Sequence, residues 1–336
     1  MDRADGGHRA DPSHRRDARR RGHRTLSPSG AGSRSRGLLA ALGGLAGAVT
    51  AGYLGYLGVV GSRRVVTPVV HPEDEIADLP RSPAELGLPH EAVRFTTDDG
   101  VTLDGWLIPA ARETRAAVIL LHGFSWHRVP WLSLFVPWLR ERYHVLQFDF
   151  RGHGASDPAA TTLGSAERRD VAAAVRLLEG RGLGPIALYG ISMGGATAIL
   201  AAPDLPVAAV VADAAYADMR HPIANRMREQ RLPLPGLGSW LIVAGAALRA
   251  RTRLLSPVDR VAGVAPRGLL LIAPREDRLV SWRQSVSLYE AAGEPKELYV
   301  VDGAAHGEAR MVGGAEYVRR VLAFLDHHLE RPGGRL

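Results

Sequence analysis

Residues 186–200 run I-A-L-Y-G-I-S-M-G-G-A-T-A-I-L. The opening residues form a short apolar run, the pattern of a buried strand, and from Met193 to Ala202 apolar residues recur at helical spacing. Between the two stands G-x-S-x-G, centred on Ser192. A strand that enters a helix through so short a turn brings the two segments very close, and Gly190 and Gly194 have no β-carbon to prevent it. The serine hydroxyl then projects from the apex, with the partial positive charge of a helix N-terminus beneath it. The pattern by itself is a weak signal in a chain with 38 Gly; its strand-to-helix setting makes it a strong one.

The same alternation continues on both sides. Short apolar runs at 117–121, 145–150, 207–212, 269–272 and 298–301 predict strands, and helix-period patterns at 131–142, 165–179, 282–291 and 314–330 fall between or after them. This β-α order predicts an α/β fold, a mostly parallel twisted sheet with helices on both faces. Ahead of it, two alternating stretches, 93–97 and 103–108, flank Asp98, Asp99 and Gly100 and predict an N-terminal β-hairpin. Residues 219–255 break the rhythm and are too long for a plain loop, so they predict a small helical cap.

A serine hydroxyl is a poor nucleophile unless a base takes its proton, and the base needs a carboxylate to orient it. Asp277 follows the apolar run 269–272, and His306 follows the run 298–301. Both therefore sit at carboxyl ends of strands, where open α/β sheets place their ligands. Backbone N–H groups are the donors expected for a developing oxyanion. His122, Gly123 and Phe124 supply a loop just after the strand at 117–121, so the Phe124 amide can face that of Met193, the residue after Ser192. His122, Gly123 and Trp126 are expected to line the substrate, although the His122 side chain need not take part in chemistry. Trp126, Trp131, Trp138 and Phe135 are candidates to line an acyl pocket, although aromatics at these spacings are more often helix-to-sheet packing.

Four ordered signals then carry a family resemblance: L-L-H-G-F at 120–124, D-F-R-G-H-G-A-S at 149–156, Y-G-I-S-M-G-G at 189–195, and the Asp277 and His306 segments. Residues 93–330 resemble the α/β-hydrolase superfamily. The opening F-T-T-D-D-G-V-T-L-D-G-W at 95–106 is similar to the branch of serine-aminopeptidase-like and monoglyceride-lipase-like hydrolases. The resemblance implies Ser192 as nucleophile, His306 as base and Asp277 as its orienting acid, with no cofactor. A glycine usual before the acid is replaced here by Pro274, Arg275 and Glu276, which leaves Glu276 as an alternative acid. The implied activity is hydrolysis of a carboxylic ester or related small acyl substrate, a lipid among the candidates. Peptidase or acyl-transfer chemistry by the same triad, and a catalytically silent scaffold, are the alternatives.

The remaining sequence lies upstream. The net charge is +7, but residues 1–36 hold ten Arg against four Asp, so only one net positive charge is left for the other 300 residues. A nucleic-acid-binding domain is disfavoured on that ground. The 1–36 stretch has no apolar periodicity and is expected to be a disordered cytoplasmic tail. Residues 37–61 carry no charge and, as a helix, span about 37 Å, enough to cross a hydrocarbon core of about 30 Å. Arginines crowd the N-terminal side, which predicts a cytoplasmic N-terminus, a single span in the cell membrane and a hydrolase domain outside. Residues 62–92, with five prolines, predict an extended linker. Gly43, Gly47, Ala51 and Gly55 recur every fourth position and would suit weak pairing of two copies in the membrane, although small-residue composition explains the run more simply. The chain has no Cys, which excludes disulfides, thiolate metal sites and a cysteine nucleophile, and no histidine spacing predicts a metal site.

Overall fold

A computed structural model of the chain describes residues 31–68 and 78–330. The tail expected at 1–30 and the stretch 69–77 of the expected linker lie outside the described residues. The chain divides into two compact units, residues 1–51 and 52–336. In the first, the described residues form one helix, the start of α1 (Ala31–Tyr56). Its leucines at 38, 39, 42 and 45 are all exposed. Leu38–Val66 is a helical stretch long and apolar enough to cross a membrane, with mean hydropathy 1.6.

In the second unit the hairpin strands β1 (Glu91–Thr96) and β2 (Thr102–Ile108) open the sheet. The strands β3 (Ala117–Leu121), β4 (His144–Phe148), β5 (Ile186–Ile191), β6 (Ala209–Asp213), β7 (Gly268–Pro274) and β8 (Lys296–Val301) follow. The spatial order is β1-β2-β4-β3-β5-β6-β7-β8, antiparallel from β1 to β4 and parallel from β4 onward. Every residue of β3, β5, β6 and β7 is buried, which is why these strands appear as continuous apolar runs. Period-two alternation still divides them: Ala117, Ile119 and Leu121 enter one core cluster, Val118 and Leu120 the other. Helices α4 (Arg168–Gly180), α5 (Met193–Ala201) and α8 (Trp282–Ala291) supply the first cluster, and α3 (Val129–Leu139) and α9 (Ala309–Leu329) the second. The fold is thus the α/β-hydrolase arrangement that the resemblance implies. Phe135 packs with Tyr189 and Trp138 in the second cluster, as sheet packing rather than as a pocket wall.

The cap forms as two helices, α6 (Arg220–Glu229) and α7 (Pro235–Ala250). Residues 62–66, placed at the start of the expected extended linker, are helical instead. The chain continues through a π-helical turn (Leu57–Gly61) into α2 (Ser62–Val66), and Leu57, Val65 and Val66 are buried with Met219, Met227 and Ile242 of the cap. Small residues permit this contact: a β-carbon on Gly61 would lie 2.6 Å from Ile242, and one on Gly245 would lie 2.4 Å from the Gly58 carbonyl oxygen. The chain then passes Thr161, whose N–H donates to the Val66 carbonyl (3.0 Å). Gly58 and Gly61, at the end of the uncharged stretch 37–61, therefore serve intramolecular packing.

The tightest point of the sheet is where α5 begins. A β-carbon on Gly190 would lie 2.1 Å from the backbone of Gly194, and one on Gly194 2.2 Å from the Leu121 carbonyl oxygen. Backbone cannot yield as a side chain can, so Gly194→Ala is expected to cost about 4 kcal/mol or more, or to prevent accumulation of folded protein. Gly236→Ala, with nothing within 4 Å, is expected to stay within about 0.5 kcal/mol of the parent. Denaturation curves of both in detergent check this; equal midpoints would refute the close-approach argument.

Candidate active site

The strand order reverses at β3, with β4 on one side and β5 on the other, the place beyond whose strand ends open α/β sheets bind their ligands. β3 and β5 are in register with Leu121 opposite Gly190, so the chain leaving each strand emerges at the same level. From β5 comes Ser192, at φ 55° and ψ −115°, a conformation rarely adopted by a residue with a β-carbon. It is held there by its N–H donating to the Asp213 carbonyl (2.8 Å) and its carbonyl accepting from the Ala196 N–H (3.0 Å). From β3 comes the 122–124 loop, close enough that a β-carbon on Gly123 would lie 3.7 Å from Ser192 Cβ. Met193 is the first residue of α5, so the helix itself has no acceptor for its N–H.

Two distant segments complete the cluster. Ser192 Oγ lies 3.0 Å from His306 Nε2, and His306 Nδ1 lies 2.6 Å from Asp277 Oδ2. The other carboxylate oxygen of Asp277 accepts from the N–H groups of Leu279 (2.9 Å) and Val280 (2.7 Å), which fixes its direction without the missing glycine. The Asp277 side chain is fully buried, while that of His306 is 26% exposed, so the far end of the line is dry and the near end is reachable. Glu276, the alternative acid, is exposed, and Asp277 alone meets the imidazole. An imidazole placed this way can accept the serine proton while the carboxylate steadies the resulting cation.

His122 does not line the substrate as expected. It is buried; Nδ1–H donates to the Gly123 carbonyl (2.8 Å), and Nε2 accepts from the Phe150 N–H (2.9 Å). Burial first, and then the neighbouring His153, hold its pKa well below the usual imidazole range. It is a neutral brace for the loop. Trp126 is half-buried in the same loop, 3.8 Å from where a β-carbon on Gly123 would be. The 149–156 segment is a hydrogen-bonded support: Asp149 accepts from the Arg128 N–H and guanidinium and from the Ala155 N–H, and His153 is buried. A surface cavity of about 560 Å³ lined by His90, Leu107, His144 and Arg181 includes none of these residues.

One group at the site had no sequence motif to reveal it. Asp213 ends β6, fully enclosed, and its Oδ2 accepts from Tyr317 Oη (2.7 Å), which in turn lies 2.5 Å from Tyr189 Oη. Asp213 Oδ1 has no hydrogen-bond partner among the described residues. Burial pushes this carboxyl up to about 7, against the opposing pull of Tyr317 and His306. The polar residue closing an apolar strand was the available signal.

Comparisons with known proteins agree with the fold. Residues 118–331 match the model of an alpha/beta hydrolase family. The chain is 32% identical to the Escherichia coli protein YfhR over 230 residues, 65% of this chain and 74% of that one. It is 28% identical to the polyketide transferase grgF of a Penicillium species over 288 residues, 72% of this chain and 98% of that one. Among solved structures, the Pyrococcus furiosus esterase Pf2001 superposes with a TM-score of 0.65 at 28% identity, covering 79% of this chain and 98% of the esterase.

The Asp213 carboxyl generates a pH prediction. Its folded pKa of about 7 lies above the ordinary 3.8, so the native state keeps a proton that the unfolded chain releases between those values. Stability from this group is therefore full below about pH 4 and falls as pH rises to about 7, by roughly 1.4 kcal/mol per unit. Asp213→Asn removes the titration. The stability gap between variant and parent should widen in the variant's favour from pH 5 to 7 and level off above; a pH-independent gap in melting experiments would contradict it.

Proposed function

The chain belongs to the alpha/beta hydrolase family, and from that premise we propose that it is a membrane-anchored serine hydrolase acting on a carboxylic ester or related acyl substrate. The observation that carries this reading is the unbroken line from Asp277 through His306 to Ser192 beside the 122–124 loop. Ser192 Oγ attacks the acyl carbon as His306 Nε2 takes its proton, and Asp277 stabilises the imidazolium. The tetrahedral oxyanion rests on the N–H groups of Phe124 and Met193, with Gly123 and Trp126 beside the acyl group. Collapse expels the alcohol, which receives the proton from His306. Water, deprotonated by the same imidazole, then attacks the acyl-enzyme and releases the acid. The esterase among the similar structures supports ester cleavage. No metal or cofactor enters this scheme.

A second reading has a specific observation behind it. The similarity to a polyketide transferase along 98% of that protein favours transfer of the acyl group to an alcohol or amine in place of water. The steps to the acyl-enzyme are identical; only the second nucleophile differs, and product analysis with competing alcohols separates the two.

For the whole chain we infer a cytoplasmic Arg-rich tail, one membrane span within Leu38–Val66, and a hydrolase domain on the extracytoplasmic side. Protease added to intact cells should digest the domain; full protection would reverse the topology.

A fluorophosphonate probe should label the parent chain, and Ser192→Ala should abolish labelling. Turnover of a p-nitrophenyl ester should fall by about 10⁴-fold or more in Ser192→Ala and in His306→Ala, leaving only binding and oxyanion stabilisation. Unlabelled parent protein would leave a silent scaffold as the reading.

A further inference from the structure

The cap helix α7 is apolar on two opposite faces. Gly238, Ser239, Ile242 and Ala246 face inward and are buried. On the other side, at the N-terminal end, Leu234, Leu237 and Trp240 are 49%, 45% and 54% exposed. A cap helix that met only water on that side would be polar there.

The helical segment from Tyr53 to Ser62 packs along the opposite, inward face of α7. Tyr53 Oη donates to the Pro233 carbonyl (2.9 Å), just ahead of α7. Leu57 abuts Gly238, Gly61 abuts Ile242, and Arg249 Nε donates to Ser62 Oγ (2.8 Å). The contacts advance together along both segments, so the two helices run in the same direction and the start of α7 lies level with Tyr53. Counting from Arg36, the next 20 residues reach Tyr56 without a charge and span about 30 Å as a helix, the thickness of a hydrocarbon core. Tyr53 and Tyr56 then lie at that boundary, and Trp240, between Gly238 and Ile242, lies level with the turn that follows, in the zone of an interfacial aromatic belt. Arg63 and Arg64, exposed just beyond Gly61, are within reach of anionic head groups.

We propose that the N-terminal end of α7, through Leu234, Leu237 and Trp240, is seated in the same bilayer leaflet that the N-terminal helix leaves, and that the substrate is a long-chain acyl ester taken from that leaflet. This rests on the anchored-hydrolase reading above. The wall between the leaflet and Ser192 is a continuous apolar cluster: Tyr53, Leu57, Met227, Met219 and Tyr216 lead to Ala196, one turn beyond Ser192, and to Phe124. Its two methionines are unbranched and can repack around an acyl chain.

The chain has no Cys, so single nitroxide labels are unambiguous. The full chain is reconstituted in phosphatidylcholine–phosphatidylglycerol vesicles with a label at Leu237→Cys or Trp240→Cys, and at Glu290→Cys on the exposed face of α8 as a control. Labels at 237 and 240 should be relaxed by oxygen and shielded from a water-soluble nickel chelate, while the label at 290 shows the reverse. The double variant Leu237→Asn/Trp240→Gln should hydrolyse a vesicle-borne long-chain monoacylglycerol at least ten-fold more slowly, with p-nitrophenyl acetate turnover unchanged. Labels at 237 and 240 as open to the chelate as the one at 290 would overturn the docking. So would equal loss on both substrates, or spin–spin broadening between 237 labels, which would assign the face to a second copy of the chain. If p-nitrophenyl acetate turnover survives Ser192→Ala, the hydrolase reading fails, and label depth still decides the docking.

Discussion

The structure depends on a passing distance. Between β5 and α5 the backbone approaches itself and the end of β3 so closely that a single methyl group at Gly190 or Gly194 has no room. The consequence is the bend at Ser192, where a side chain is held at positive φ at a cost on the order of 1–3 kcal/mol. Two backbone hydrogen bonds, from Ser192 N–H to Asp213 and from Ala196 N–H to Ser192, keep it bent. Because β5 and β3 are in register, the bend also brings the 122–124 loop alongside the hydroxyl. Strand order then does the rest: β7 and β8 end at the same edge and deliver Asp277 and His306 from residues far apart in the chain.

The groups around this bend divide by hydration. The imidazole of His306 is partly open, whereas His122 and His153 are enclosed, bonded to backbone, and neutral because burial penalises their charged forms. Asp149 is buried too, but it spends its oxygens on Arg128 and on loop N–H groups. Of these three histidines, only His306 has both a carboxylate behind it and the hydroxyl in front. That selection is made by hydrogen bonding and access, not by residue type.

The N-terminal helix and the cap meet as one packed body from Tyr53 onward, because glycines at 58, 61 and 245 let the helices close on each other.

Residue order alone determined a good deal. Apolar runs and helical periods predicted the strands and helices to within a few positions, because parallel strands buried on both faces must be continuously apolar. The G-x-S-x-G turn and strand-end positions marked Ser192, His306, Asp277 and the 122–124 loop, because close approach admits only glycine and reactive groups gather where strands end. Three matters needed the folded chain. The choice of Asp277 over Glu276 turned on which carboxylate is turned inward. The assignment of His122 as a brace turned on what its two nitrogens touch. The helix beyond Gly61, like the Asp213–Tyr317–Tyr189 group, arises from contacts between segments distant in sequence. Local pattern records how a segment folds against water; it does not record which other segment removes that water.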